Sequence, residues 1–236
     1  MILTMKNLLY HIITIILKLL FRNKRKTLLL NIILDDDEKA ILTLKTEGYF
    51  KDIGWFQSFH MNQPVNNSNM PIPWITYPAI DFIDSRLNKN MDLFEFGGGN
   101  STLYFSKKVN YVTTVENDPD WYNKIRTHVP NNVNIIYEKL IYNGNYCKTA
   151  MNSKKMYDII IIDGRDRVNC IINSINSLKE NGVIILDDSQ REEYCAGREF
   201  LQEKHFRHID FWGISPGYLN RYSTTIFYRD GNCLGL

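Results

Sequence analysis

The chain has 236 residues, 44% hydrophobic and 23% charged, which suits one α/β domain with a real core plus some additional chain. A formal net charge of +2 gives no case for nucleic acid as the partner. Cys147, Cys170, Cys195 and Cys233 are scattered without CxxC spacing, so neither a zinc site nor a disulfide framework is implied and a reducing cytosol is the expected compartment.

From Ile2 to Phe21 the chain is mostly Leu and Ile, and the basic run Arg22-Asn23-Lys24-Arg25-Lys26 follows. Lys6, Asn7, His11 and Lys18 interrupt it, and Leu8, Leu9, Ile12, Ile13, Ile16, Leu19 and Leu20 recur at helical spacing on one broad face. This predicts an amphipathic helix over 1–30. Two readings stand: peripheral contact of residues 1–26 with the inner face of a membrane, or packing on the domain or a partner subunit. No small-residue cleavage pattern follows.

Asp35-Asp36-Asp37-Glu38 opens a second predicted helix, which runs to about Glu47 and stops at Gly48. Tyr49 to Phe59 is aromatic-rich and reads as packing. Asn62 to Pro73 reads as a loop, and a helix follows Trp74-Ile75-Thr76-Tyr77-Pro78. Residues 31–90 are therefore expected to form a helical and loop lid on a domain spanning 91–236.

From there strands and helices alternate. Strands are predicted at Asp92–Phe96, Tyr111–Glu116, Val133–Tyr137, Asp158–Asp163 and Val183–Asp187. Helices are predicted at Ser101–Lys108, Asp120–Val129, Arg167–Glu180 and Arg191–Lys204, with Asn181-Gly182 as a helix stop. This is a doubly wound α/β pattern. His208–Ile214 and Ser223–Arg229 then follow one another with no helix between them, so one of these two strands must run antiparallel.

The first strand runs into Gly97-Gly98-Gly99, and Asn100-Ser101-Thr102 opens the next helix. Glycines let the backbone turn and approach a ligand, and the first amides of a helix then face it. Thr102 stands where a dinucleotide fingerprint wants its third glycine. Glu116 ends the second strand, placed to accept from ribose hydroxyls, although this does not separate an NAD site from other nucleosides. Asp163 ends the fourth strand and Asp187-Asp188 the fifth. If these strands are neighbours, their ends lie ~5 Å apart, and the crowded acids call for a cation or protons between them; Mg²⁺ is the hard-oxygen choice of cation.

The sequence Glu95-Phe96-Gly97-Gly98-Gly99 resembles motif I of the class I S-adenosylmethionine (SAM) dependent methyltransferases. The ordered set Phe94–Thr102, Val115–Asp118, Ile161–Arg167, Leu186–Ser189 and Phe211–Gly217 resembles bacterial polysaccharide-cluster methyltransferases, distantly similar to the FkbM and glucuronoxylan enzymes. The resemblance implies a Rossmann-like α/β fold with a seven-stranded, mostly parallel sheet, a C-terminal antiparallel strand and an N-terminal helical extension. It implies SAM held by Glu95, Gly97, Gly98, Gly99, Asn100, Ser101, Thr102, Glu116, Asn117 and Asp163, with Thr76 and Tyr77 at the pocket wall. Asp163, Asp187 and Asp188 match the magnesium-binding acids of catechol- and macrolide-sugar-type O-methyltransferases. Asp166 stands where the catechol-type enzymes carry a catalytic lysine, so the base is left between Asp166 and Asp163. Arg165, Tyr218 and Arg221 are the candidate grip on a glycan or glycolipid acceptor. The competing readings are a SAM-binding scaffold without turnover and an NAD-dependent oxidoreductase, and an oligomer is open to all three.

Overall fold

The computed structural model describes residues 11–12 and 34–236. The predicted helix over 1–30 and its basic run lie outside the described residues, apart from His11 and Ile12. Among the described residues no helix is long and apolar enough to cross a membrane. The chain divides into two compact units, Met1–Asp52 and Ile53–Leu236. The expected 31–90 lid is therefore split between the two units.

The first unit contains α1 (Asp36–Thr46) and α2 (Tyr49–Asp52). The acidic run acts as a cap. Asp35 Oδ1 accepts from the Glu38 amide at 2.8 Å, and Glu38 Oε2 accepts from the Asp35 amide at 3.1 Å. This reciprocal box satisfies two otherwise orphaned donors, and the acids suit the positive end of the helix dipole.

The second unit begins with α3 (Trp55–Met61) and α4 (Tyr77–Asp84) and continues as one seven-stranded sheet. Its strands are β1 (Asp92–Phe96), β2 (Tyr111–Glu116), β3 (Val133–Tyr137), β4 (Tyr157–Ile162), β5 (Leu178–Leu186), β6 (Arg207–Gly213) and β7 (Tyr222–Tyr228). The order is β3-β2-β1-β4-β5-β7-β6. The first five strands pair in parallel, and β7 runs antiparallel between β5 and β6. The helices between strands are α5 (Asn100–Lys108), α6 (Pro119–Ile125), α7 (Asn145–Asn152), α8 (Arg167–Ser174) and α9 (Cys195–Glu203).

The central strands are apolar because both faces are covered. Tyr157–Ile162 is buried throughout. Phe94, Phe96, Tyr157, Ile160 and Ile162 pack with Tyr146 and Cys147 of α7 and Cys170 and Ile171 of α8 in one cluster. Side chains alternate across a strand, so Leu93 and Glu95 lie on the face opposite Phe94 and Phe96.

Three sequence expectations shift. Helix α7 was not predicted. It lies within the β3–β4 crossover, in a stretch rich in Asn, Lys and Tyr, and buries Tyr146, Cys147, Thr149 and Ala150. Helix α8 ends at Ser174, six residues before Glu180. A 3₁₀ turn follows, and β5 starts at Leu178. Asn181-Gly182 is a bulge inside β5, where pairing with β4 jumps from Leu178 to Val183. A Cβ on Gly182 would stand 2.7 Å from Leu178 Cδ1, so glycine marks a close packing there.

Candidate active site

A cavity of about 830 Å³ opens at the carboxyl ends of the parallel strands. That is the edge where open α/β sheets bind ligands. Its volume falls within the ~300–1,000 Å³ range of small-molecule sites.

One wall is the glycine loop. Gly97 has φ +92°, and a Cβ there would stand 3.0 Å from Gly164 Cα. A Cβ on Gly98 would meet Ile125 Cδ1 at 3.0 Å and Thr114 Oγ1 at 3.1 Å. The first glycine supplies a left-handed turn and the second a close approach. Gly99 is extended and a Cβ would meet nothing closer than 3.7 Å, so its identity is not fixed by sterics.

The loop is held from both sides. Glu116 Oε2 accepts from the Gly98 amide at 3.1 Å, and its Oε1 accepts from the Asn117 and Asp118 amides at 2.7 and 2.8 Å. Burial raises the Glu116 pKa while these three amides oppose the rise. Trp121 Nε1 donates to the Gly98 carbonyl at 2.7 Å. Trp121 lines the cavity together with Gly97, Gly98, Gly99, Asn100, Ser101, Glu116 and Asn117. Sequence reasoning missed Trp121, whose signal was its place in the first turn after Asp118-Pro119.

Glu95 does not reach the cavity. It is wholly buried on the α5 face of the sheet, in register with Thr114 and Ile161. Its Oε2 accepts from Thr102 Oγ1 at 2.5 Å, and Thr102 Oγ1 accepts from the Gly99 amide at 3.0 Å. Glu95 and Thr102 thus support the loop from below and do not touch its ligand face. Burial lifts the Glu95 pKa to about 7 against its hydroxyl partners.

The opposite wall carries the acids. The ends of β4 and β5 are neighbours, with Ile162 paired to Leu186, so Asp163 and Asp187 stand side by side. The cation between them is Arg167. Its Nη2 lies 3.0 Å from Asp163 Oδ1 and 3.9 Å from Asp188 Oδ2, and its Nη1 donates to the Asp187 carbonyl at 2.5 Å. Arg191 Nη2 takes Asp188 Oδ2 at 2.5 Å, and Thr224 Oγ1 donates to Asp187 Oδ1 at 2.7 Å. Among the described residues no group of three His, Cys, Asp or Glu side chains is arranged to hold a metal ion. The expected magnesium site at Asp163, Asp187 and Asp188 is not formed as such: guanidinium groups pair with Asp163 and Asp188, and the Thr224 hydroxyl holds Asp187. Burial raises both Asp163 and Asp187; Glu95 and Asp188 add to the rise of Asp163, Asp163 and Asp188 to that of Asp187, and Arg167 opposes both.

Asp166 is a second correction. It has φ +53°, its Oδ2 accepts from the Asn143 amide at 2.7 Å and its Oδ1 from Asn169 Nδ2 at 2.7 Å. Both oxygens are used in a loop contact, and Asp166 does not line the cavity. Thr76 and Tyr77 are also buried away from it. Thr76 Oγ1 donates to the Phe211 carbonyl at 2.9 Å and ties α4 to the β6–β7 ribbon. Arg221 stacks 4.2 Å above the Trp212 ring and lies outside the cavity lining, whereas Arg165 and Tyr218 line it.

The remaining wall is aromatic and polar. Trp74 stacks on Tyr218 with centroids 5.6 Å apart, and Tyr222 meets Tyr218 edge-on at 6.1 Å. Asn62, Gln63 and Pro64, which follow α3, close this end, and Asn100 Nδ2 donates to the Pro64 carbonyl at 2.9 Å.

No protein-family model matches the chain, and no curated protein matches it in sequence. Solved structures do match in fold. A precorrin-6y C5,15-methyltransferase from Geobacter metallireducens superposes with TM-score 0.52 at 15% identity, over 65% of this chain and 87% of that one. A candidate caffeoyl-CoA O-methyltransferase from Staphylococcus aureus gives 0.50 at 17% identity, over 83% and 100%. A methyltransferase-like protein from Silicibacter pomeroyi gives 0.50 at 19% identity, over 67% and 89%. Together with the strand order and the antiparallel β7, these likenesses show that the chain has the Rossmann-like fold of the class I methyltransferases.

Proposed function

We propose that the chain is a SAM-dependent O-methyltransferase acting on a sugar hydroxyl of a glycan or glycolipid precursor. The observation that supports the cofactor assignment is the glycine loop and Glu116 lining one cavity: the left-handed Gly97 and the tightly packed Gly98 hold the loop backbone against the sheet, and Glu116, bonded to the Gly98 amide, ends β2 beside it, the position of a ribose-binding acid. The Gly97–Ser101 backbone, Glu116, Asn117 and Trp121 would hold the adenosine and methionine parts. Bound there, SAM supplies an electrophilic methyl group.

The chain's own part is positioning and proton removal. Arg167 neutralises one negative charge of the Asp163–Asp187 pair, and Asp163, nearest the guanidinium, keeps the ionised form. Its raised affinity for a proton suits a base near neutral pH that takes the hydroxyl proton as the oxygen attacks. Arg165 and the Trp74–Tyr218 stack orient the acceptor. A stacked aromatic wall beside amide and guanidinium groups supports a saccharide, and the polysaccharide-cluster resemblance of the sequence points the same way. The reading places the enzyme in the cytoplasm, with contact between residues 1–26 and the inner membrane face as the route to lipid-linked glycans.

The test is methyl transfer from labelled SAM to carbohydrate fractions of the source cell. Label in a sugar methyl ether supports the proposal. SAM binding with no acceptor-dependent release of S-adenosylhomocysteine would favour the scaffold reading.

A further inference from the structure

The segment Asp187–Arg191 separates two cavities. Asp187, Asp188 and Arg191 line the one already described, while Ser189 and Gln190 line a second of about 310 Å³. Its floor is one face of the β6–β7 ribbon, formed by the cross-strand pairs Asp210–Thr225 and Trp212–Ser223. Arg198 of α9 reaches over the floor. Its Nη1 donates to the Ser189 and Arg191 carbonyls, so the guanidinium is fixed in place.

The polar groups at this floor are not saturated. Ser223 Oγ is buried with no hydrogen-bond partner, and Ser223 is 1% exposed. Asp210 Oδ1 accepts from Thr225 Oγ1 at 2.6 Å, and among the described residues its second oxygen has no partner. Gln190 uses its Oε1 on the Ser223 amide at 2.9 Å, which leaves its amide NH₂ available. Arg198 and Asp210 line the same small space without forming an ion pair. Trp212 remains 42% exposed, and the Arg221 guanidinium above it fixes its plane.

These groups select a ligand class. The Asp210 carboxylate repels anions and the Arg198 guanidinium repels cations, so a ligand without net charge is favoured. It must both donate and accept hydrogen bonds, because acceptor, donor and hydroxyl groups alternate around the site. It must also offer an apolar face to the indole. A pyranose ring meets all three requirements, with hydroxyls at its edge and C–H groups on its face. We infer that this second cavity binds a neutral pyranose unit, a neighbour of the sugar presented to the first cavity across the Asp187–Arg191 segment. Naming that sugar as part of the acceptor rests on the proposed function; the sugar site itself does not.

The test titrates the full chain with D-glucose, D-galactose, D-mannose, N-acetyl-D-glucosamine and inorganic phosphate, read by saturation-transfer NMR and indole fluorescence. At least one pyranose is expected to bind saturably, and phosphate is not. Asp210→Asn and Trp212→Ala are each expected to weaken that binding about tenfold or more, the scale of a lost charged hydrogen bond or ring contact. Glu203→Gln, exposed at the end of α9 and outside both cavities, is expected to leave it unchanged. No saturable pyranose binding up to ~100 mM, the same loss in Glu203→Gln, or competition by phosphate would each overturn the inference. SAM affinity measured on the same samples separates the two proposals. Sugar binding without SAM binding would remove the methyltransferase reading and leave this site standing.

Discussion

Thr102 joins Glu95 to the ligand loop. Its hydroxyl donates to Glu95 Oε2 at 2.5 Å and accepts from the Gly99 amide at 3.0 Å. A carboxylate without solvent exposure thereby fixes the loop that the cavity presents. Its second oxygen has no partner and sits in register with Thr114, whose hydroxyl is also unpartnered. A proton on that oxygen can bridge the two. The folded pKa of about 7 lies above the ordinary 4.5, so the folded state binds the proton more tightly than the unfolded chain. Stability from this group is then full below about pH 4.5 and is lost as pH rises towards 7, by up to ~3 kcal/mol. Glu95→Gln mimics the protonated form and should lose less stability than wild type over that interval. Parallel denaturant midpoints for the two proteins between pH 5 and pH 8 would remove this account.

The glycines should differ in their tolerance. Gly97→Ala forces an L side chain into the left-handed region at a cost of ~1–2 kcal/mol, and its methyl meets Gly164 Cα at 3.0 Å. It should lower the melting temperature and abolish detectable SAM binding. Gly99→Ala, extended and open, should do neither. Thermal melts and calorimetry on the two variants test this order.

Arg167 takes the place expected for a metal. Removing it leaves the buried Asp163 carboxylate without its ion-pair partner and the neighbouring Asp187 without a nearby cation, while Asp188 keeps Arg191; breaking a buried pair costs ~3–5 kcal/mol. Arg167→Met should be strongly destabilised at pH 8 and partly recover at pH 5, where the carboxyls, already raised, take up protons. Turnover of the wild type should be unchanged in EDTA.

Asp163 and Asp166 should separate cleanly. Asp163→Asn removes the proposed base and should lower kcat by ~10²–10⁴-fold with SAM affinity largely kept. Asp166→Ala loses two loop hydrogen bonds and should cost stability of ~1–3 kcal/mol with kcat nearly unchanged.

Trp121→Phe keeps a ring at the cavity wall but loses the 2.7 Å bond to the Gly98 carbonyl. A weaker SAM affinity, by about tenfold, is expected, with the same loss for methylthioadenosine, which shares only the adenosine half.

The strands were legible because β1 to β5 are apolar runs closed by Gly, Pro or acid punctuation, and their ends agree with the sequence to within a residue or two except at the start of β5. The antiparallel β7 followed from the missing crossover helix. Helix α7 was hidden by its polar composition, and the β5 start by an Asn-Gly pair that serves as a bulge. At the site, spacing located the loop, Glu116 and the three acids. It could not show that Glu95 faces away, since that depends on which sheet face α5 covers. Nor could it show that Arg167, the first residue of α8 and four after Asp163, turns back towards the acids. The cavity walls from Asn62–Pro64, Trp74 and Tyr222 come from segments far apart in the chain, and no local pattern marks them.

The central claim is that the Gly97–Glu116 cavity takes SAM, and isothermal titration of the full chain tests it most directly. The account predicts saturable one-to-one binding of SAM and of S-adenosylhomocysteine, weakened at least about tenfold by Glu116→Ala, with no heat from NAD. Binding of NAD with none of SAM would contradict it.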